Sequence, residues 1–191
     1  PLSFEEMRKL KQVNVSMGLM LEQLTPSLLQ TVHKHAPSKN PELRLQQLQY
    51  AGELKIPFTT GLLLGIGETK QDCWDTLAAI SQLHKNYQHI QEVILQPHSP
   101  GTKQSFDAEP FNPHQLPEVI AKAREILPED IKIQIPPNLV KDEQWLLSCI
   151  EAGARDLGGI SPIDEVNPDY PHIQEQELRE MLHPQGWDLV P

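Results

Sequence analysis

The chain has 191 residues, 38% of them hydrophobic and 22% charged, with a formal net charge of −10. Those proportions suit one soluble domain with a sizeable core. The acidity argues against nucleic acid or an anionic membrane surface as a partner, since both need clustered Lys and Arg.

No apolar run approaches the roughly 20 residues of a membrane span. The opening Pro1-Leu2-Ser3-Phe4-Glu5-Glu6 lacks the basic and apolar regions of a signal peptide, so a cytoplasmic protein is expected. Because the chain opens on Pro and in mid-pattern, it reads as the later part of something longer. Cys73 and Cys149, the only cysteines, lie far apart within predicted helices and are expected to be buried thiols, neither a disulfide framework nor metal ligands.

Ser3 and Glu6 have the spacing of a capping box, and Phe4, Met7 and Leu10 continue a helix to about Lys11. Val13 to Leu21 reads as a strand with Glu22 at its end. Thr25-Pro26 starts a short helix to about His33. After a polar, proline-punctuated loop, Asn40-Pro41 starts another, with Leu45, Leu48 and Ala51 inward, Gly52 at its end, and Arg44 in its first turn.

Phe58 to Leu64 is aliphatic, is bounded by Pro57 and Gly65, and is too short for a helix, so it reads as a strand buried on both faces. Gly65 and Gly67 allow tight backbone geometry beyond it, and Thr69 caps a helix from Lys70 to about Lys85 with Trp74, Leu77, Ala78 and Leu83 inward. These glycines do not make a dinucleotide site, because the third glycine of that fingerprint is missing. A phosphate loop would need Gly-Lys-Ser/Thr, and Glu68 would repel an anion. The plain alternative is a strand-to-helix turn.

Val93 to Gln96 is the next strand, followed by a long loop to Pro113 of the kind that often carries function. A helix runs from Leu116 to about Leu127. Ile131, Ile133 and Ile135 alternate in a strand stopped by Pro136-Pro137; Asp142 to Ala152 is a helix closed by Gly153, Ala154 to Ile160 a last strand, and Ile173 to Leu182 a final helix. Five strands alternating with helices argue for an α/β fold with a parallel sheet in a single domain over residues 1–191. An open doubly wound sheet and the later part of an eight-stranded barrel both fit this alternation.

Gly61-Leu62-Leu63-Leu64-Gly65-Ile66-Gly67-Glu68 resembles the G-x-I-x-G-x-x-E pattern of radical S-adenosylmethionine enzymes, with Leu63 for the usual Ile. Further stretches carry the likeness over most of the chain: Ser16 to Glu22, His33-Lys34 through Pro37, Lys39, Pro41 to Leu45, Gln134 to Leu139, and Ala154 to Pro162. Together they resemble the first-subunit family of the 7,8-didemethyl-8-hydroxy-5-deazariboflavin synthases.

The resemblance implies a TIM-type barrel, of which this chain would be about strands four to eight. Its cofactors would be S-adenosylmethionine and a [4Fe-4S] cluster held by a C-x-x-x-C-x-x-C loop. Electron transfer from the cluster would cleave S-adenosylmethionine to a deoxyadenosyl radical, which abstracts hydrogen from a tyrosine-derived adduct of a ribityl-aminouracil. Cyclisation with loss of ammonia then gives the deazaflavin. The cluster cysteines have no counterpart in this sequence, so the chain alone is expected to be inactive, and its strand edge to promote self-association.

By the same resemblance, Arg44 aligns with an arginine gripping the carboxylate of S-adenosylmethionine, and Glu22 would accept from its amino group or ribose hydroxyls. Gly61, Gly65 and Glu68 would shape the adenine side, Glu68 by ordering the loop through backbone N–H groups, and Gln134 would flank adenosine or substrate. Gln96, Asn138, Asp156 and Asp164 are the substrate-binding candidates, their amides and carboxylates suiting a ribityl chain and a uracil edge. His98 would relay a proton during ammonia loss. The other histidines show no ligand spacing and are expected to be solvated. The implied partners are the small-molecule substrate, an electron donor and the second synthase subunit. The alternatives are a radical enzyme of the biotin-synthase type and a non-catalytic half-barrel that acts as a binding or assembly module.

Overall fold

The aliphatic stretch before the paired glycines is a strand, β2 (Phe58–Leu64), and the strands on either side run parallel to it. This computed structural model describes residues 1–101, 109–140, 142–158 and 173–190. Within them β1 (Met17–Gly18), β2, β3 (Ile90–Pro97), β4 (Lys132–Ile135) and β5 (Asp156–Leu157) form one sheet in the order β1-β2-β3-β4-β5. All four pairings are parallel.

Helices α1 (Phe4–Leu10), α2 (Pro41–Glu53), α3 (Lys70–Tyr87), α4 (Leu116–Ile126), α5 (Glu143–Glu151) and α6 (Glu175–Leu182) complete the described architecture. The monotonic strand order decides between the two α/β topologies. A doubly wound sheet reverses direction at a switch point, whereas right-handed crossovers that always step the same way put every connecting helix on one face. Accordingly α2 packs on α3, α3 on α4 and α4 on α5.

The core lies between that helical layer and the outer face of the sheet, where Phe58, Leu62, Leu64, Val93, Leu95, Ile133 and Ile135 are buried. Each such side chain contributes about 1.5–3 kcal/mol by leaving water. The opposite, concave face carries Thr59, Leu63, Glu92, Ile94, Gln96, Gln134 and Asp156, all half-buried. β2 is therefore fully buried on one face only, because no helix among the described residues covers the concave side. Gly61 faces that side: a Cβ there would lie 2.3 Å from the Ile94 carbonyl oxygen, so close approach of β3 requires glycine.

Local chemistry sets the element ends. Ser3 and Glu6 form the capping box of α1, Asn40 accepts from the Glu42 amide ahead of α2, Thr69 and Asp72 cap α3, and Asp142 caps α5. Several expectations are corrected. Val13 and Val15 are 80% and 93% exposed, so the first strand is only Met17–Gly18. Residues Pro26–Gln30 form a 3-10 turn to which Thr25 gives no side-chain cap. Gly52 lies inside α2, beneath the Tyr87 ring, and does not end the helix. In α3 the buried stripe is Cys73, Leu77, Ile80 and His84; Ala78 is exposed because it sits about 100° round the helix from Leu77. Of the long loop after β3, residues 102–108 lie outside the described residues, as do Ile160 and Asp164. No described helix is long and apolar enough to cross a membrane.

Candidate functional site

Four strand ends put polar groups at the same, carboxyl end of the sheet. Glu22 follows β1, with a left-handed φ of 65° and its amide donating to the Gly61 carbonyl at 2.9 Å. Its carboxylate is buried, 5% exposed, and gathers basic groups from the loop and helix that follow. Oε1 accepts from Lys39 Nζ and lies 3.4 Å from Arg44 Nη1; Oε2 lies 2.9 Å from His33 Nε2. Arg44 also donates from Nη1 to the Met20 carbonyl and from Nε to the Ser38 carbonyl at 3.1 Å. From the first turn of α2, Arg44 reaches back over the sheet and ties the loop before α2 to the end of β1.

Burial, then the Arg44 charge, lowers the His33 imidazole, which favours its neutral form. The same two causes bring Lys39 down to about 8, against the pull of the carboxylate that it touches. Burial lowers the Arg44 guanidinium as well. At neutral pH one carboxylate therefore faces two cations, leaving surplus positive charge at the end of β1.

The β2 turn is ordered by its own carboxylate. Glu68 accepts from the amides of Gly65 at 2.6 Å and Ile66 at 2.8 Å, as the sequence led us to expect. Gly65 has φ 87°, and a Cβ there would meet Phe111 at 2.9 Å, so both conformation and space require glycine. His98, just past β3, is buried; its amide donates to the Leu64 carbonyl, and its carbonyl accepts from the Phe111 amide. Asn138 is buried in the 3-10 turn Pro137–Leu139 after β4.

Deeper on the concave face, Gln134 of β4 stands between β3 and β5. Its Nε2 donates to Glu92 Oε2 at 2.8 Å and to Asp156 Oδ1 at 3.1 Å. Burial raises the Asp156 carboxyl; the Gln134 hydrogen bond lowers it, and the nearby Glu92 carboxylate raises it further. Gln96 lies on the same face, beside Leu63.

The structure thus joins Glu22 to Arg44, Gly65 to Glu68, and Gln134 to Asp156. Sequence reasoning missed His33 and Lys39 as partners of Glu22, and Glu92 as partner of Gln134. Glu92 carried a signal: it shares the alternating register of Ile94 and Gln96, opposite Val93 and Leu95. Correcting a further expectation, His33, His84 and His89 are buried, not solvated. His84 Nε2 lies 3.0 Å from Asp130, and His89 Nε2 lies 2.9 Å from the Leu48 carbonyl.

Cys73 in α3 and Cys149 in α5 are buried, and burial foremost pushes each thiol up to about 12. Such protonated thiols on separate helices do not fit an iron–sulfur cluster, which needs converging thiolates. Among the described residues no group of three or more His, Cys, Asp or Glu could hold a metal.

No family model matches the chain. It is 79% identical to a 7,8-didemethyl-8-hydroxy-5-deazariboflavin synthase of Trichormus variabilis, over all 191 residues and 56% of that protein. To proteins of the same name it is 78% identical in a Nostoc species, over 56% of that protein, and 64% in Thermosynechococcus vestitus, over 61%. The chain thus spans a little more than half the length of the curated relatives it matches. A solved structure from Burkholderia cenocepacia, named as a phosphonomutase, superposes with a TM-score of 0.51 at 19% identity, covering 85% of this chain and 68% of that one. That likeness concerns the fold alone and agrees with the singly wound sheet. Over its whole length, the chain is a homologue of the 7,8-didemethyl-8-hydroxy-5-deazariboflavin synthases.

Proposed function

We propose that the chain forms the cofactor- and substrate-facing part of a radical S-adenosylmethionine synthase that builds the deazaflavin chromophore in the cytoplasm. The observation that carries this reading is the 79% identity across all 191 residues to a deazariboflavin synthase. In this reading the five strands are strands four to eight of the barrel, and the cluster thiolates come from outside these residues. When bound, the cluster and S-adenosylmethionine supply the one-electron chemistry, while the protein orients reactants and excludes water.

The donor set at the end of β1 suits the amino-acid end of S-adenosylmethionine. Arg44 and Lys39 leave a positive surplus over Glu22, which favours a carboxylate. Gly61, Gly65 and Glu68 wall the adenine, and Gln134 flanks the adenosine or the substrate. Gln96, Asn138, Asp156 and Asp164 take the ribityl chain and uracil edge of the tyrosine-derived adduct. His98 holds the proton that the departing ammonia takes. An electron donor and a second synthase subunit are the partners.

A chimera tests the reading: these 191 residues replace the matching stretch of the Trichormus relative. It is expected to give a fluorescent deazaflavin when supplied with S-adenosylmethionine and the adduct. A chimera that folds and carries its cluster, yet forms no deazaflavin, would overturn the assignment.

A further inference from the structure

The polar row on the concave face fixes which atom of Gln134 is available. The two carboxyl groups beside its Nε2 come from different strands, Glu92 on β3 and Asp156 on β5. An amide offers two N–H bonds and one carbonyl, and carboxylates only accept, so the nitrogen and not the oxygen must face the pair. Both N–H bonds are then used. No donor among the described residues reaches Oε1.

Three features hold that orientation. Thr59 Oγ1 donates to Glu92 Oε1 at 2.5 Å and itself accepts from Gln91 Nε2 at 3.0 Å, anchoring Glu92 on β2. A Cβ on Gly158 would lie 2.2 Å from the Gln134 amide carbon, so the amide occupies the space a side chain would fill. The neighbouring cations stay out of the row. Lys132 is exposed at the start of β4; Arg155 donates from Nη1 to the Ile150 and Ala154 carbonyls and stacks on Trp187. A protonated Asp156 carboxyl still accepts from Nε2 through its carbonyl oxygen.

We propose that Glu92 is a positioning residue: with Asp156 it takes both N–H bonds of Gln134, so Gln134 presents only its carbonyl oxygen on the concave face and selects a ligand group that donates O–H or N–H there. Resting on the function proposed above, that group is a ribityl hydroxyl or a uracil ring N–H. Glu92 acts through Gln134 and need not touch the ligand.

The test uses protein labelled with 13C,15N-glutamine, studied by magic-angle spinning where the chain self-associates. Without ligand, both Gln134 amide protons are expected downfield and slow to exchange. In Glu92→Gln the single carbonyl left at position 92 is taken by Thr59 and Gln91, so one Gln134 proton loses that shift, whereas in Asp156→Asn the carbonyl has no other donor among the described residues and both shifts are retained. Free-amide shifts in the unsubstituted protein, or no response to Glu92→Gln in a folded variant, would overturn the clamp. A ribityl-aminouracil is then titrated in. It is expected to move the Gln134 carbonyl carbon and not its amide protons, and to bind roughly tenfold more weakly to Glu92→Gln. Binding that displaces the amide protons from the carboxyl groups would also overturn the proposal. If this probe does not bind while the amide protons behave as described, the functional reading fails and carbonyl-only presentation stands.

Discussion

Two carboxylates on one sheet are held in opposite ways. Glu22, at the end of β1, is surrounded by Arg44, Lys39 and His33, and its burial is compensated by charge. Glu92, halfway along the concave face, has only Thr59, Gln91 and Gln134 as donors among the described residues, with a second carboxyl group nearby. The first arrangement fixes a loop and a helix to a strand end; the second fixes the direction of one amide. A buried ion network depends on every member, whereas a hydrogen-bonded row tolerates an isosteric change.

The largest expected effect breaks that contrast if it fails. Glu22→Gln leaves the buried Arg44 and the half-buried Lys39 without the carboxylate they share and should cost about 3 kcal/mol in urea unfolding. Glu92→Gln keeps an accepting oxygen and should cost about 1 kcal/mol. Equal losses would show that charge does not distinguish the two sites. Between them, Gly61→Ala forces a Cβ onto the Ile94 carbonyl and should cost about 1–3 kcal/mol, because β2 and β3 must part.

Two pH experiments sharpen the comparison with smaller effects. Lys39 is held at about 8 in the folded protein against its ordinary 10.5, so the unfolded chain binds that proton more readily across this interval. Stability should therefore rise as pH climbs from about 8 towards 10.5, and Lys39→Met should abolish the Lys39 share of that rise in urea midpoints. The Asp156 carboxyl is raised, so its folded state favours the proton. Its penalty is absent below the ordinary value of 3.8 and grows as pH rises past it. Asp156→Asn should thus be neutral in acid and stabilising towards neutrality. A constant difference across pH would remove Asp156 from the proton balance of the row.

The fold was legible where local chemistry and periodicity agree. The Ser3, Asn40, Thr69 and Asp142 caps and the apolar strands before Gly65 and Pro136 mark their elements directly. Strand order was not legible, because alternation of helices and strands is common to both α/β topologies. Val13 and Val15 misled because β-branched residues satisfy strand propensity whether or not a neighbour pairs with them. At the site, Glu68 could be placed because its partners lie three residues or fewer away. His33 and Lys39 lie eleven and seventeen residues beyond Glu22, in a segment whose polarity reads as solvation. Only the fold reveals that the segment turns inward.

The monotonic strand order has a consequence for how the molecule can be divided. Each strand–helix unit touches chiefly the unit before it and the one after, so the contact map is a ladder with few distant rungs. Cutting such a chain between units severs a single seam of strand pairing and helix packing. Recombination, gene splitting and reassembly from halves are accordingly mild operations on this architecture, because the information that joins two pieces is confined to one edge.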